Sequence, residues 1–338
     1  MSTIETTGSR DEKKAVAAAT ADDEFAFSEL TERYRPELRV HCYRMLGSFE
    51  DAEDLTQETF LRAWRKRTSF EGRSSFRAWL YRIATNACLD ALERRPRPMP
   101  RAQAAGAASE VPWLQPYPDR LLEEIATTDA EPDAVVVAKE TIELTFLVAI
   151  QHLPSKQRAV LILRDVLGWS AKDTAALLEG SVASVNSALQ RARAALKEHL
   201  PERRLEWAPG SDTSNEERAL LRRYVDASER ADVEAFVELM REDARFSMPP
   251  EPELYVGRDK IVAAWKEGGI GTEEFRDFRC LLTRANRQPA VACYLRRPGA
   301  SEYTPLALDV LRIEEGAVAE IIAFPGSVFP AFDLPARL

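Results

Sequence analysis

From Phe60 to Arg101 the chain reads FLRAWRKRTSFEGRSSFRAWLYRIATNACLDALERRPRPMPR, so that aromatic rings alternate with guanidinium groups. Over Leu61 to Arg101 eleven cations stand against Glu71, Asp90 and Glu93, a net of +8 in a chain whose total is -9. The chemistry open to such a stretch is stacking and charge-assisted hydrogen bonding to a polyanion. Phe76, Trp79, Leu80, Ile83, Ala84, Ala87, Cys88 and Ala91 recur at steps of three, four and one. This spacing predicts a helix with one apolar stripe, leaving Arg82, Asn86 and Asp90 on another side. Arg94-Arg95-Pro96 ends it, since cations suit a helix C-terminus and proline disfavours helical geometry in the residue before it. Taken alone, the stretch fits either an amphipathic helix with a solvated basic face or a polyanion-binding surface.

A second basic block runs from 155 to 204, with nine cations against five anions, and an acidic segment of two cations against nine anions precedes it. The block predicts helix, short turn, helix. Ser170 caps the first helix with Asp173 three positions on, Gly180 permits a tight turn, and Ser181 or Ser184 caps the second. In the second helix Val185, Leu189, Ala192 and Leu196 face inward, leaving Ser184, Ser187, Ala188, Gln190, Arg191 and Arg193 outside. Small polar residues near the start can reach base edges, and later arginines suit phosphates. Many two-helix pairs share this pattern without touching DNA.

Other chemistry is thin. Cys42, Cys88, Cys280 and Cys293 form no CxxC, and the three histidines stop at His199. No metal site and no cofactor are expected, and the final third has no histidine to serve as general base. Its carboxylate candidates are Asp309, Glu251 and Glu253, while Trp265, Tyr224, Phe246, Met248, Tyr255 and Phe324 fit either a pocket lining or a core.

The elements that hold these residues follow from periodicity. The 338 residues allow two or three domains, and a hydrophobic fraction of 45% with 30% charged residues fits soluble, patterned helices. Residues 1–22 are expected to be a disordered lead, without the apolar core of a secretion signal, which implies a cytoplasmic location. Residues 23–97 are expected to form an all-α module. Its second helix, starting after Ser48, buries Ala52, Leu55, Thr59, Ala63 and Trp64 and turns Asp51, Asp54, Gln57 and Glu58 elsewhere. Favourable placement at a helix N-terminus is one explanation of Asp51 and Asp54. Residues 98–131 read as a linker rich in proline, alanine and glycine, in which Trp113, Leu114 and Pro116 are suited to dock on a surface. Residues 132–203 form the helix-turn-helix module, with helices at Glu140–His152 and Ser155–Val166 ahead of it. Residues 204–338 carry helices first and an antiparallel sheet after them, an α+β unit.

The runs DAEDLTQETFLRAW, FRAWLYRIATNACLDALERR and LPSKQRAVLILRDVLGWSAKDTAALLEGSVASVNSALQRARAAL resemble an extracytoplasmic-function sigma factor of bacterial RNA polymerase over about residues 25 to 200. The resemblance implies a multidomain fold: two all-α sigma modules, a region 2 helical bundle and a region 4 helix-turn-helix, followed by another domain. It implies binding to the polymerase core, with Asp51, Asp54, Gln57 and Glu58 on the β′ clamp helices and region 4 on the β flap. It implies promoter −10 contacts from Arg73, Arg77, Arg82, Asn86, Asp90, Arg94 and Arg95, where a flipped base is stacked and hydrogen-bonded. It implies −35 contacts from Ser184, Asn186, Ser187, Gln190, Arg191 and Arg193. Asn186 and Ala188 stand where the family often has lysine and arginine, which predicts a weaker phosphate contribution. YVDASERADVEAFVELMREDARFSMPP and YVGRDKIVAAW resemble the SnoaL-like branch of the NTF2-like cone fold, some of whose members are isomerases. The expected role here is regulatory rather than catalytic, through contact with the sigma modules; no membrane partner is implied, and any small-molecule ligand stays open.

Overall fold

The computed structural model describes residues 23–70, 74–97, 107–127, 142–199 and 215–338. The expected lead at 1–22, Arg73, residues 98–106 and 128–131 of the linker, the start of the Glu140 helix and residues 200–214 lie outside the described residues.

The chain divides into two compact units that do not follow its order. Residues within 1–99, 122–141 and 150–198 make the first, and those within 100–121, 142–149 and 199–338 make the second.

The first unit opens with α1 (Glu24–Glu32), α2 (Arg35–Leu46), α3 (Phe49–Lys66) and α4 (Phe76–Arg94). Each start has a chemical cause: Asp23 accepts from Ala26 N, Pro36 sits in the first turn of α2, Ser48 accepts from Asp51 N, and Ser75 accepts from Ala78 N. Gly47 ends α2 at φ 68°, and a side chain there would crowd Gln151. Phe27, Trp64, Phe70, Phe76 and Trp79 form an aromatic cluster at centroid distances of 5.2 to 6.2 Å. Behind it Leu38, Met45, Leu80, Ala84 and Cys88 are fully buried.

In chain order come α5 (Arg120–Thr127), α6 (Leu144–Gln151), α7 (Ser155–Leu161), α8 (Ala171–Leu177) and α9 (Val182–His199). The predicted helix from Ser155 to Val166 changes character at Ile162, where the last turn widens to a π-turn and Leu167 N bonds Ile162 O. Gly168, at φ 68°, then turns the chain. Arg158 of α7 is buried and donates to Met45 O, Gln151 O and Leu153 O, closing the α2 C-terminus and the α6–α7 turn together.

The second unit contains α10 (Asn215–Glu229), α11 (Val233–Leu239), β1 (Met240–Ser247), β2 (Leu254–Val256), α12 (Arg258–Glu267), β3 (Phe278–Ala285), β4 (Gln288–Leu295), β5 (Thr304–Glu314) and β6 (Ala317–Pro325). The strands form one sheet in the order β2-β1-β6-β5-β4-β3. The expectation of a purely antiparallel sheet is corrected at one pair. β1 and β6 run parallel, Phe246 opposite Ile321, because the chain leaves β1, passes through β2, α12 and the strands β3 to β5, and returns alongside it. A parallel pair needs such a long crossover, and a hairpin cannot supply it. One sheet face, with Val291, Leu311 and Ile321, packs on Leu221, Tyr224, Phe236 and Trp265 of the helices. On the β5–β6 pair Leu308 and Phe324 lie opposite each other in the alternate register, and Phe329 packs on Tyr294 at 5.0 Å.

Candidate nucleic-acid interface

The apolar stripe of α4 falls where its spacing places it, with Phe76, Leu80, Ile83, Ala84, Ala87 and Cys88 buried. Arg82, Asn86 and Asp90 follow one another at intervals of four, so a single exposed or half-buried ridge carries all three. Two of the three are held. Arg82 Nη2 lies 3.0 Å from Glu179 Oε1, and Asp90 accepts from Arg62 Nη1 at 2.7 Å. Arg62 also donates to Glu58 at 2.8 Å, and the hydrogen bond to Glu58 keeps its guanidinium above the ordinary arginine range. Arg77 donates both arms to Glu37 of α2, with a nearest distance of 2.7 Å, and stacks over Tyr81, which makes it a brace between helices. Arg94 and Arg95 are exposed at the end of the helix, and Arg94 Nε donates to Asp90 O. Trp79 is half-buried against Phe70 and Phe76, partly core.

On α3, Asp51, Asp54 and Gln57 are exposed and Glu58 is half-buried, on the side opposite Ala52, Thr56, Thr59 and Ala63. Asp51 is ion-paired with Arg97, which also donates to Leu46 O. The cap explanation applies only in part: Asp51 receives the Ser48 cap through its backbone N–H, and its carboxylate is turned to Arg97.

The helix-turn-helix is α8 and α9. Ser170 accepts from Asp173 N at 3.0 Å and its hydroxyl reaches the Asp173 carboxylate. The turn is made differently from expectation. Glu179, at φ 54°, takes the left-handed conformation, and Gly180 is small for another reason: a side chain there would press on Ser184 Oγ at 3.1 Å. That hydroxyl belongs to a reciprocal cap, in which Ser184 N donates to Ser181 Oγ, Ser181 N donates to Ser184 Oγ, and Ser184 Oγ donates to Ser181 O. Its hydrogen bonds are therefore spent within the turn. Asn186, Ser187, Gln190, Arg191 and Arg193 are all exposed, while Val185, Leu189 and Ala192 are buried. Arg193 is bidentate to Asp165 at 2.7 and 2.8 Å, which leaves Asn186, Ser187, Gln190 and Arg191 as a polar ridge on α9.

In the second unit the linker is docked. Pro118 bridges Ala285, Tyr117 N donates to Asn286 Oδ1 at 2.7 Å, Asn286 N donates to Tyr117 O at 2.9 Å, and Asn286 Nδ2 donates to Ile142 O at 2.6 Å. Asp119 accepts from Arg287 N at 2.7 Å and pairs with Arg284. Leu114, Pro116 and Tyr117 are buried and Trp113 is half-buried. On the helix-facing side of the sheet, Asp309 accepts from Tyr224 Oη at 3.0 Å, with Cys293 Sγ 3.8 Å away. Burial pushes its carboxyl up to about 6. Glu251 and Glu253 are exposed. Trp265, Tyr224 and Phe246 lie in the core with Tyr255 packed against it, Phe324 takes the other register, and Met248 is exposed, so these six do not line one pocket.

Sequence reasoning missed Glu37, Arg62, Asp165, Glu179 and Asn286. The first four are partners of singled-out arginines or of Asp90 and carry no pattern of their own. Asn286 had a signal, an asparagine between two β-rich runs.

Residues 30–97 match the Sigma-70 region 2 family, residues 144–196 the Sigma-70 region 4 family, and residues 221–321 the SnoaL-like domain. Over 332 residues the chain is 42% identical to the ECF RNA polymerase sigma factor SigG of Mycobacterium tuberculosis strain H37Rv, covering 92% of this chain and 85% of that one. It is 31% identical to the ECF RNA polymerase sigma factor SigW of Bacillus subtilis strain 168, over 56% of this chain and 96% of that one. The crystal structure of the Mycobacterium tuberculosis extracytoplasmic function sigma factor SigJ shares the fold, with a TM-score of 0.56 and 22% identity over 91% of this chain and 99% of that chain. Among the described residues no helix is long and apolar enough to cross a membrane, and no group of histidine, cysteine and acidic side chains is arranged to hold a metal ion.

Proposed function

Because the chain belongs to the extracytoplasmic-function RNA polymerase sigma factors and acts in transcription initiation, we propose how its own residues divide that work. Asp51, Asp54, Gln57 and Glu58 dock on the polymerase core. The Arg82, Asn86 and Asp90 ridge, with Arg94 and Arg95 beyond it, takes the opened −10 strand. Asn186, Ser187, Gln190 and Arg191 of α9 enter the major groove of the −35 element. Arg77, Ser184 and Arg193 act as braces, since each is already engaged in a structural bond. Such a factor would work in the cytoplasm.

The carrying observation is that α4 is tied within the first unit to the helix-turn-helix, through Arg82 and Glu179 of the turn before α9 at 3.0 Å and through Tyr81 against Trp169, just ahead of α8, at 5.6 Å. Elements at −10 and −35 lie about 25 base pairs apart by their numbering, or about 85 Å at about 3.4 Å per base pair. Two readers held together by these contacts and by the buried Arg158 bond to Met45 O cannot span that length, so promoter engagement requires them to part. Arg82 then exchanges Glu179 for a phosphate or base, a trade between two exposed partners that costs about 1 kcal/mol or less.

The SnoaL-like domain regulates this opening through the linker, because residues 107–121 belong to the same compact unit as the sheet. It acts as a holder of chain rather than as an enzyme: Glu251 and Glu253 are exposed, and half-buried Asp309 is engaged by the domain's own Tyr224 and Cys293. Charge reversal at Asp51, Asp54 and Glu58 tests the division of roles. The expected result is loss of core polymerase binding with the fold intact. Unchanged binding to polymerase, with tight binding to duplex DNA alone, would favour a two-site DNA-binding repressor instead.

A further inference from the structure

Cys280 and Cys293 are free thiols placed directly opposite each other on the antiparallel strands β3 and β4. Their sulfurs are 3.4 Å apart. Directly opposed residues of an antiparallel pair have Cα atoms about 4.5–5.5 Å apart, inside the range of about 4.4–6.8 Å that a disulfide spans. A bond between them therefore needs side-chain rotation and little backbone movement. The pair is not an isolated buried thiol couple. Cys280 is half-buried on the edge strand, whereas Cys293 is 7% exposed on the core side. Cys280 N is fixed by Glu229 Oε1 at 3.1 Å. Cys280 Sγ donates toward Cys293 Sγ, and Cys293 Sγ toward Asp309 Oδ2 at 3.8 Å, so a line of proton donors ends on a carboxylate.

We infer that Cys280 and Cys293 form a reversible dithiol–disulfide site, oxidised by a peroxide that reaches Cys280, with Asp309 receiving the proton of Cys293. In the first step the Cys280 sulfur attacks the peroxide. An S–O bond forms, the O–O bond breaks, and the thiol proton leaves with the departing alkoxide as an alcohol, or as water from hydrogen peroxide. In the second step the Cys293 sulfur attacks the Cys280 sulfur. The S–S bond forms, the S–O bond breaks, and hydroxide leaves as water with the proton that Asp309 took from Cys293. Two thiols are oxidised and one peroxide is reduced, and a thiol reductant reverses the change. The roles follow from position. The hydrogen bond from Cys280 and burial push the Cys293 thiol up, so it waits as the protonated partner beside its acceptor. Asp309, pushed up to about 6 by burial, is largely ionised above neutral pH and able to accept.

Cys42 and Cys88 supply an internal comparison. Both are 0% exposed, so an oxidant has no path to either sulfur. The test treats the folded full chain with hydrogen peroxide, blocks residual thiols in acid and maps tryptic peptides without reduction. The expected product joins the peptide 280–284 to the peptide 288–296 with the loss of two hydrogen atoms, is reversed by dithiothreitol, and leaves Cys42 and Cys88 available to alkylation after unfolding. In Cys293→Ser the reaction should stop at a Cys280 sulfenic acid that dimedone traps, and Asp309→Asn should slow disulfide closure tenfold or more without preventing that trapping. Peroxide-treated native chain in which Cys280 is over-oxidised, or stays alkylatable together with Cys293, would overturn the inference. A Cys280 link to any other cysteine would do the same.

Discussion

Replacing Asn286 with alanine perturbs the point where the linker is held. The Asn286 amide accepts from Tyr117 N at 2.7 Å and donates to Ile142 O at 2.6 Å, and the residue is 0% exposed. Asn286→Ala removes both bonds and strips a buried N–H and a buried C=O of these partners, at about 1–3 kcal/mol each. The backbone adds to this, since Asn286 sits at φ 54°, where a methyl group costs about 1 kcal/mol more than an asparagine that tolerates it. The whole cost is about 3–7 kcal/mol if the segment stays in place. A docked segment has the alternative of leaving, so the observable is local: faster hydrogen exchange at Tyr117 N and proteolysis within 107–121, ahead of global melting. Asn286→Gly separates the causes, because glycine relieves the backbone cost and still loses both bonds. The expected order of linker release is alanine, then glycine, then the parent chain. Equal exchange at Tyr117 in all three, with melting within about 0.5 kcal/mol of the parent, would refute the reasoning.

Three other perturbations have signs fixed by the same contacts. Asp309 has a folded-state value raised to about 6 from an unfolded 3.8, so its contribution to stability is complete below about pH 4 and is lost as pH rises through 6; Asp309→Asn should flatten a decline of about 2–3 kcal/mol in unfolding free energy measured between those values. His41, buried and hydrogen-bonded to Thr85, has a value pushed down to about 3 by burial and then by Arg44 and Arg77, so stability is complete above pH 6.5 and falls as pH drops toward 3; between pH 6.5 and 5 the loss is about 2 kcal/mol, and a His41→Leu chain followed by tryptophan fluorescence should lack that slope. Arg191 is exposed on the α9 ridge, and Arg191→Ala should weaken promoter binding and lower the salt slope of log K by about 1, whereas Arg193→Ala should act mainly through loss of the Asp165 brace and leave that slope nearly unchanged.

Helix existence and burial were legible wherever apolar spacing was regular, as in α4 and α9, because a 3.6-residue period needs no knowledge of the partner surface. Strands β3 to β6 were legible as β-rich runs, but the parallel β1–β6 pair was not, since the sequence order of strands says nothing about which edge a returning strand joins. The turn before α9 shows the limit within one motif: Gly180 was expected to permit it, and the left-handed residue is its neighbour Glu179, while a side chain at Gly180 would press on the Ser184 cap. Site residues divided in the same way. Charge and exposure on α9 could be read from spacing, while the bonds that occupy Arg77, Arg193 and Asp90 depend on partners 28 to 40 positions away. The docking of Tyr117 on Asn286, 169 residues apart, and the meeting of Cys280 with Cys293 arise only from the folded sheet.

We propose that this chain confers promoter choice on the polymerase and that its C-terminal domain controls the opening of the two readers. The direct measurement is sequencing of transcript 5′ ends started in vitro by core polymerase with the full chain, and with a chain truncated after about residue 205. The expected result is a common set of start sites preceded by the same −10 and −35 elements, with transcript yield changed by the truncation and lowered by Gln190→Ala and Arg191→Ala. No promoter-dependent transcripts from either chain, or start sites indifferent to those two substitutions, would contradict it.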